Sequence, residues 1–539
     1  MPDWILLVPI LFPLIGALGL SFIVSLGSSR ARSWLTIIFL ALEIIAVLVN
    51  IAPGSHALVL SAWTPASFSI AFQIDGVTLL LLLTMFIPLV AIWLAAPPLP
   101  PTSGSQRVPY GVLPILVLTG ALLVAAAGNA ITVYVAWAVL DVAIFSWRVA
   151  YDIEKESALR TFAVSQTAAL ALFAGALMLG SERSADGAAL IALAFWARLA
   201  LFPFQWTLPT HGTDTRDLWF ARGMPLIAAA DLWIRWSTLN VDAPMALIGT
   251  LAAAAIIAAS IWIWREEQPN RAVVVSASHA LALVPLAIAF GGDAAPAFAL
   301  WLTFSAVTAI ALFELAQRWR AENRNRYPRL IWFAGIISLA GLPLTPAFLG
   351  RVGLYISLWE TGQWLLLLVA GLTTALVLAP LWNLGFDLKG AENREPTRAE
   401  YVGLVLITLI FIVLALAPTF IAHALAPGMG DAAEHALDRV IRTSDTLGII
   451  IGFTLLILPI IGSYWLRVPA RHFHPRAGAL LLRAGRLFDL EWLEHIVTGT
   501  GYRMGALARS ASTIAEENPT VWILLAGLWV AIFISIFHS

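Results

Sequence analysis

Long apolar runs separated by short polar segments make up most of the chain. Sixteen of these runs have about 20 residues, the length that an α-helix needs to cross the hydrocarbon core of a bilayer. The pattern therefore predicts an all-α, polytopic membrane protein with about 16 transmembrane helices. The expected helices lie at 4–26, 32–52, 76–97, 108–127, 129–147, 160–181, 188–206, 221–237, 244–264, 272–290, 295–315, 329–350, 362–387, 400–426, 446–466 and 519–537.

Two segments between the apolar runs have patterns of their own. Near the end of residues 53–75, every second position from 68 to 74 is apolar, an alternation typical of a β-strand. This segment is therefore predicted to form a short hairpin on the outer face. Residues 467–518 are rich in arginine, and within them residues 487–497 have helical apolar spacing. We expect an amphipathic helix on the cytoplasmic membrane surface there.

The basic residues are distributed unevenly between the two sides of these predicted helices. If the chain starts outside, 25 of its 31 lysines and arginines fall in cytoplasmic loops. Cytoplasmic loops of membrane proteins have such an excess, and an odd error in the helix count would destroy it. We therefore expect a protein of a bacterial-type plasma (inner) membrane, with both termini on the outer side and basic loops in the cytoplasm.

Composition excludes several classes of function. The chain is 60% hydrophobic and 12% charged, whereas soluble proteins have about 25% charged residues. Its net charge of -1 and the lack of a basic domain argue against a nucleic-acid partner. It has no cysteine, which excludes iron–sulfur clusters, thiolate metal sites and disulfides, and its nine histidines are scattered. We expect no catalytic residue, no metal and no cofactor bound by this chain.

Two apolar runs, one in each half of the chain, combine an arginine with a helix-breaking proline. The first contains Arg198 and Pro203, and the second contains Pro343 and is followed by Arg351. Charges in membrane spans usually face a protein interior or a water-filled cavity. Proline frees backbone groups, which are tolerated only where neighbours or water satisfy them. Many transporters build their sites from such a pair of interrupted helices, so the pattern predicts a transport site.

Five sequence patterns follow one another between residues 70 and 390. They are Asp75-Gly76, residues 129–137 (NAITVYVAW), residues 198–209 (RLALFPFQWTLP), Arg271 followed by Ser276, and residues 338–351 (SLAGLPLTPAFLGR). In this order they resemble helices of the antiporter-like membrane subunits of respiratory complex I, the L/M/N type of NADH-quinone oxidoreductase chain. The same module occurs in multi-subunit cation/proton antiporters, membrane-bound hydrogenases and a two-component inorganic-carbon uptake system.

The resemblance implies a domain organisation. Two inverted five-helix repeats are expected at 108–237 and 238–387, each with a broken helix that faces a central hydrated axis. Sixteen spans with an amphipathic connection before the last one are most similar to the distal subunit of that family. The remaining segments would be a three-helix region at 1–107, two further helices at 388–466, the amphipathic connection at 467–518 and a C-terminal helix at 519–539.

The chain departs from the family at the residues that conduct protons. The family uses a glutamate–lysine pair in the first repeat, a central lysine and a terminal lysine or glutamate. The corresponding positions here are Ala138, Arg198, Ala309 and Arg351, and the only two lysines of the chain lie in predicted loops. Burial can bring the pKa of a lysine near neutrality, whereas an arginine remains charged in proteins. The usual lysine relay is therefore absent.

Four other ionisable side chains in the predicted helices could take part in a proton path. Asp141 could pair with Arg198 in place of the missing glutamate, or it could be a polar packing residue near the cytoplasmic helix end. Asp231 and Arg235 are four residues apart on one helix, and we expect them to pair with each other in a structural role. His279 could relay protons, or it could be a hydrogen-bonded core histidine.

Three functions fit these observations. The first is a proton-translocating, antiporter-like membrane subunit of a complex I-like or related energy-converting assembly. The second is a non-conducting structural subunit, which the loss of charge at Ala138 and Ala309 favours and the retention of both buried arginines opposes. The third is the membrane half of a two-component inorganic-carbon uptake system. The expected partners are other membrane subunits, the lipid bilayer, and protons or alternatively another cation or bicarbonate.

Overall fold

The part of the chain that can be described structurally contains most of the two predicted repeats. The computed structural model describes residues 56–61, 70–74, 112–150, 155–179, 183–204, 223–238, 245–266, 268–322, 327–343, 347–388, 401–406 and 446–473, with shorter pieces and single residues elsewhere. The predicted helices at 4–26, 32–52, 76–97, 400–426 and 519–537, and most of the connection at 467–518, lie largely outside these residues.

Twelve α-helices of 14 or more residues and one β-hairpin form within the described residues. The strands are β1 (His56–Ser61) and β2 (Ile70–Ile74). The helices are α1 (Val112–Ala125), α2 (Ala130–Ala150), α3 (Lys155–Met178), α4 (Ser184–Arg198), α5 (Met224–Thr238), α6 (Met245–Trp262), α7 (Pro269–Phe290), α8 (Ala295–Glu322), α9 (Tyr327–Ala340), α10 (Ala347–Glu360), α11 (Trp364–Asp387) and α12 (Thr446–Phe473).

Seven of these helices are long and apolar enough to cross a membrane: α2, α3, α6, α7, α8, α11 and α12. The shorter helices α1 and α9 are also apolar. The chain is therefore a helical, multi-pass membrane protein. Each described helix overlaps one of the predicted apolar runs. An apolar run long enough to cross the bilayer is a strong signal for a helix, since the thickness of the bilayer fixes that length.

Several predicted helix ends are wrong. The span predicted at 329–350 is interrupted, as expected from Pro343, into α9 and α10, but α10 continues to Glu360, beyond the predicted end. Helix α8 continues to Glu322, beyond the predicted end at residue 315. Hydropathy marks only the part of a helix that lies in an apolar environment, so a helix that continues into polar surroundings is longer than its apolar run.

The alternating segment forms the hairpin that its pattern predicted. Strands β1 and β2 pair antiparallel, with His56 opposite Ile74 and an irregularity in register between Val59 and Ser61. Strand β2 also bonds to the chain between α1 and α2, where the backbone N–H of Gln73 donates to the carbonyl of Ala126 at 2.7 Å. The hairpin is therefore attached directly to the first group of helices.

The start of α2 is fixed by an asparagine cap. The side-chain oxygen of Asn129 accepts from the backbone N–H and from the hydroxyl of Thr132, both at 2.8 Å. Asparagine is a preferred N-cap because its oxygen satisfies an N–H group of the first helical turn that has no partner within the helix. The hydroxyl oxygen of Thr132 in turn accepts from the backbone N–H of Ala71 in β2 at 2.9 Å. Asn129 and Thr132 thus cap the start of α2 and attach the hairpin to it.

Helices α7 and α8 form the centre of the described structure. Every residue from Ala272 to Ile288 and from Ala294 to Gln317 is buried. Helix α5 packs against both, so it joins the first group of helices, α1 to α5, to the second, α6 to α11. By contrast, α3 and α12 expose large apolar side chains such as Leu170 and Trp465. Such a surface suits contact with lipid or with another membrane subunit.

Glycine allows α8 and α10 to approach each other closely. A Cβ atom added to Gly353 in α10 would lie 2.0 Å from Cε1 of Phe298, a fully buried ring in α8. Small residues at helix interfaces are a common solution in membrane proteins, because tight packing replaces much of the hydrophobic driving force. Gly353 is therefore a packing requirement of this interface.

We expect Gly353→Ala to destabilise the protein by about 1–3 kcal/mol, the usual effect of overpacking a core. The methyl group must displace the Phe298 ring, which is fully buried. Thermal unfolding of the purified protein in detergent measures the effect as a lower midpoint. Gly462→Ala in α12 is the matched control, because a Cβ there would meet nothing within 4 Å. Equal midpoints for the two variants would contradict this packing argument.

Candidate functional site

The first interrupted helix breaks directly after Arg198. Helix α4 ends there, and Ala200 has a φ of 50°, a left-handed conformation that alanine rarely adopts. A cis peptide bond joins Phe202 to Pro203. The indole N–H of Trp196 donates to the carbonyl of Phe202 at 2.8 Å and so satisfies one backbone group that the break has freed. The continuation predicted after Pro203 lies outside the described residues.

At this break Arg198 pairs with Asp141 of α2, as the sequence suggested. Its Nη1 atom lies 2.7 Å from Oδ1 and 2.8 Å from Oδ2 of the aspartate. Each of the two side chains is 5% exposed. Burial removes both charges from water, so each group depends on the other for its stability. The pair joins the middle of α2 to the end of α4.

Neutral side chains complete the surroundings of the carboxylate. The hydroxyl of Ser165 donates to Oδ1 of Asp141 at 2.6 Å, and the amide of Gln166 donates to Oδ2 at 3.0 Å. Both residues belong to α3, and Ser165 also accepts from Nη1 of Arg198. The Trp137 ring lies over the guanidinium, with its centroid 4.2 Å from Cζ, a cation–π contact. Three helices therefore fix one charge pair.

A cavity of about 70 Å³ lies beside this pair. Its wall includes Asp141, Arg198 and, in the last turn of α2, Arg148. Arg148 is 3% exposed and donates to the hydroxyl of Thr161 at 2.8 Å. A water molecule needs roughly 10–15 Å³ of such space, so the cavity has room for several waters. The predicted topology places the Arg148 end at the cytoplasmic side.

The second interrupted helix breaks at a glycine. Helix α9 ends at Ala340, and Gly341 has a φ of 75°. The N–H of Gly341 and that of Leu342 both donate to the carbonyl of Ile337, at 3.1 and 3.4 Å. This is the usual capping geometry of a helix C-terminus with glycine in the left-handed conformation. Pro343 follows in the break, where it cannot remove a helical hydrogen bond.

Arg351 of α10 lies against this second break. A Cβ atom on Gly341 would be 2.5 Å from Cδ of Arg351, so the absence of a side chain there makes room for the arginine. Nη1 of Arg351 donates to the hydroxyl of Thr374 at 2.9 Å and to that of Tyr355 at 3.3 Å. Among the described residues no carboxylate pairs with it, although it is 2% exposed. The partial negative charge at the end of α9 compensates part of its charge.

The side chain of His279 contacts α11, the helix that also binds the side chain of Arg351. Its Nε2 atom lies 3.2 Å from the hydroxyl of Thr373, the residue next to the Thr374 partner of Arg351. His279 is 2% exposed, in the middle of the buried helix α7. The histidine and the arginine thus meet adjacent positions of α11. The structure groups Asp141 with Arg198, and His279 with Arg351, into two separate clusters.

Asp231 and Arg235 pair within α5, as expected from their spacing. Nε of Arg235 lies 3.2 Å from Oδ1 of Asp231. The same guanidinium donates from Nη2 to the carbonyl of Ala125 at 3.1 Å and to the hydroxyl of Thr78. These contacts attach α5 to the end of α1. They agree with a structural role, since the contacts seen among the described residues attach the pair to α1.

The sequence reasoning missed several polar residues of the site. Ser165, Gln166 and Arg148 gave no signal, because short polar side chains and helix-end arginines occur in many membrane helices. Glu314 in α8 is also fully buried and likewise gave no signal. Nearer the start of α8, Ser305 donates to the carbonyl of Ser338 at 2.6 Å and ties α8 to α9.

Removing one member of the Asp141–Arg198 pair should destabilise the protein strongly. We expect Asp141→Ala to cost about 3–5 kcal/mol, because it leaves a buried guanidinium without its carboxylate. The double variant Asp141→Ala/Arg198→Met should recover most of this loss, since neither charge then remains. Thermal unfolding in detergent measures both. The exposed pair of Arg183 and Asp186 is the control, and its loss should matter by about 0–1 kcal/mol. If the losses of stability in Asp141→Ala and Arg198→Met added up to the loss in the double variant, the two residues would not be coupled.

Two known proteins are similar to the chain in sequence. NADH-quinone oxidoreductase subunit N of Cereibacter sphaeroides is 28% identical over 216 residues, 38% of this chain and 45% of that subunit. NADH-quinone oxidoreductase subunit 14 of Thermus thermophilus is 26% identical over 417 residues, 71% of this chain and 93% of that subunit. The chain thus spans less than half of the first relative and nearly all of the second. No protein-family model matches the sequence.

Solved membrane complexes contain chains of the same fold. A chain of the Mrp complex from Dietzia sp. DQ12-45-1b superposes with a TM-score of 0.71 at 17% identity, over 93% of this chain and 60% of that chain. A chain of respiratory complex I from Thermus thermophilus gives 0.66 at 17% identity, over 80% and 99%. The archaeal membrane-bound sulfane sulfur reductase gives 0.62 at 15% identity, over 80% and 99%. In sequence and in fold the chain is thus similar to antiporter-like membrane subunits of the complex I type, the same family that its ordered motifs resemble.

Proposed function

We propose that the chain is a proton-translocating subunit of a multi-subunit energy-converting complex, and that Asp141 carries the proton. One observation supports this most directly. A buried carboxylate, paired with Arg198, lies at the wall of a cavity large enough for water. Ionisable groups inside membrane proteins commonly mark ion pathways. The Asp141–Arg198 pair takes the place of the glutamate–lysine pair expected from the family.

The division of roles follows from the chemistry of the two side chains. A guanidinium does not release its proton in a protein, whereas a carboxylate can accept one and become neutral. Water in the cavity would bring a proton to an oxygen of Asp141. Protonation removes the charge that holds Arg198, so the pair weakens and the arginine then favours release of the proton. Ser165 and Gln166 keep the carboxylate in place through this cycle.

His279 is the second titratable group that we propose on the path. A small cavity of about 10 Å³, near the size of one water, is lined by Ala200 to Phe202 of the first break and by Ser278 of α7. The next residue, His279, contacts Thr373, beside the partner of Arg351. Ala200 lines both this cavity and the one beside Asp141, so we propose that the path passes from the first break to Ser278 and His279 and then toward Arg351. Arg351 would then act as a fixed positive charge that repels the proton and moves it farther along the path.

The packing of the helices supports the two proposed repeats at 108–237 and 238–387. In the first group α1 to α4 pack in order and α5 returns to α1, and in the second group α6 to α9 pack in order and α11 returns to α6. Helices α9 and α10 together correspond to one broken helix. We further propose that the repeats are inverted and that the complete chain has 16 spans, with both termini outside a bacterial plasma membrane and the segments at 1–107, 388–466, 467–518 and 519–539 as expected from the sequence.

The relatives suggest the partners. They are subunits of NADH-quinone oxidoreductases, and similar folds occur in the Mrp complex and in complex I. We therefore propose that the chain assembles with other membrane subunits, which would supply the redox or ion-exchange chemistry. The exposed apolar faces of α3 and α12 suit such contacts or the surrounding lipid.

A structural, non-conducting subunit is the second candidate function. The observation that favours it is the centre of α8, where residues 295–313 include no titratable side chain. The family's central lysine would lie there, at Ala309. Under this alternative the two buried arginines would only hold the broken helices in place.

Proton flux into liposomes that contain the purified assembly distinguishes the two functions. We expect Asp141→Asn to reduce the coupled flux by on the order of tenfold or more, because the amide cannot accept a proton at this position. Asp186→Asn is the matched control, since Asp186 is exposed and pairs only at the surface. Unchanged flux in an intact Asp141→Asn assembly would reject the proton path and support the structural role.

A further inference from the structure

Two arginines from different helices lie beside Phe386, near the end of α11. Nη2 of Arg329, in the first turn of α9, donates to the backbone carbonyl of Phe386 at 3.0 Å. The Cζ atom of Arg467, in α12, lies 4.6 Å from the centroid of the Phe386 ring. The backbone carbonyl of Arg467 also accepts from the side-chain amide of Asn383 in α11 at 3.1 Å. Two guanidinium groups are therefore held near each other where α9, α11 and α12 meet.

Both guanidinium groups keep donors that a ligand can use. In the described part of the chain neither forms an ion pair with a carboxylate, and Asp387, which follows Phe386, makes no hydrogen bond to them. Arg467 lies between rings, 3.6 Å from the Tyr464 centroid, and donates to no acceptor among the described residues. Arg329 is exposed and uses one donor. A guanidinium has five N–H donors in a planar fork that fits phosphate oxygens.

An exposed apolar stripe on α12 leads away from these arginines. It consists of Ile457, Leu458, Ile461 and Trp465, each between 45% and 74% exposed. Positions 457, 461 and 465 are four residues apart, and 458 lies three before 461, so the stripe occupies one helix face. From Ile457 to Arg467 the helix rises about 15 Å, roughly half of the hydrocarbon core. A tryptophan beside an arginine is typical of the membrane–water boundary, so the arginines lie at headgroup depth and the stripe at acyl-chain depth.

The arginines and the stripe together favour one occupant. A free phosphate ion would bind the arginines but leave the apolar stripe unused. A membrane subunit could cover the stripe, but it would have to bring an acidic side chain to the arginines as well. A phospholipid supplies both parts, because its phosphate accepts charge-assisted hydrogen bonds and its acyl chain packs on apolar side chains. Basic pockets between transmembrane helices are known to bind anionic headgroups.

We propose that Arg329 and Arg467 bind the headgroup of an anionic phospholipid, with one of its acyl chains along the α12 stripe. The expected topology puts this end of the helices in the cytoplasmic leaflet, whose surface is negatively charged. The lipid connects α9, α11 and α12 at their shared end and thereby stabilises the second group of helices. The site uses none of the residues of the proposed proton path, so neither proposal depends on the other.

Native mass spectrometry of the full-length protein, titrated with phosphatidylglycerol in detergent, tests the site. We expect Arg329→Gln and Arg467→Gln each to weaken the tightest binding step about fivefold, since each removes one charge at the headgroup. The double variant should weaken it on the order of twentyfold. Arg183→Gln, which changes an exposed arginine that pairs with Asp186, is the matched control and should bind like the wild type. Phosphatidylcholine, which has no net charge, should bind equally to all of these proteins.

The variant Arg467→Lys separates lipid binding from simple packing. Lysine keeps the charge but loses the planar fork that stacks on the two rings. If Arg467 binds a headgroup, Arg467→Lys should recover most of the affinity that Arg467→Gln loses. Gel filtration shows whether each variant is folded. Equal phosphatidylglycerol binding by the wild type and the folded double variant would overturn the site.

Two further measurements test the other occupants. Glycerol 3-phosphate has the charged group without acyl chains, so it should not displace phosphatidylglycerol at equal concentration. Displacement would overturn the lipid in favour of a soluble phosphate. Loss of a membrane subunit from the purified assembly of the double variant, with lipid binding unchanged, would instead identify this face as a subunit contact and would also overturn the proposal.

Discussion

The burial of two guanidinium groups at two helix breaks is the constraint on which the rest of the described structure depends. A charge removed from water must be compensated by an opposite charge, by hydrogen bonds or by a helix end, or the fold loses several kcal/mol. Arg198 and Arg351 meet this requirement at the ends of α4 and α9. Each break therefore both creates a polar end inside the protein and places an arginine against it. Without the breaks the arginines would face apolar helix walls.

The two arginines are compensated in different ways, and the difference decides what each can do. Arg198 has a carboxylate, Asp141, which can change its charge by accepting a proton. Arg351 has hydroxyl partners and the end of α9 around it among the described residues, and the titratable group of its cluster is His279, which contacts the neighbouring position of α11. A proton can thus remove the charge of the first ion pair directly, whereas Arg351 acts only as a fixed positive charge beside the second group. This asymmetry places the proposed carboxylate step in the first half of the chain and the proposed histidine step in the second.

The sequence predicted much of this arrangement, for identifiable physical reasons. Bilayer thickness fixes the length of apolar runs, so most helices were found, and alternation revealed the β1–β2 hairpin. A charge inside an apolar run demands a partner, which is why the pairing of Asp141 with Arg198 could be anticipated. Ser165 and Gln166 could not, because neutral side chains are tolerated in a helix with or without a partner. The cavity was likewise invisible, since it depends on how α2, α3 and the break after α4 pack together.

Replacement of lysine by arginine changes which partner of the pair must move a proton. Lysine can release its proton when burial weakens the charged form, so a lysine relay moves the cation's own proton. Arginine at position 198 cannot do so, and the proton must then reside on Asp141 or pass by it.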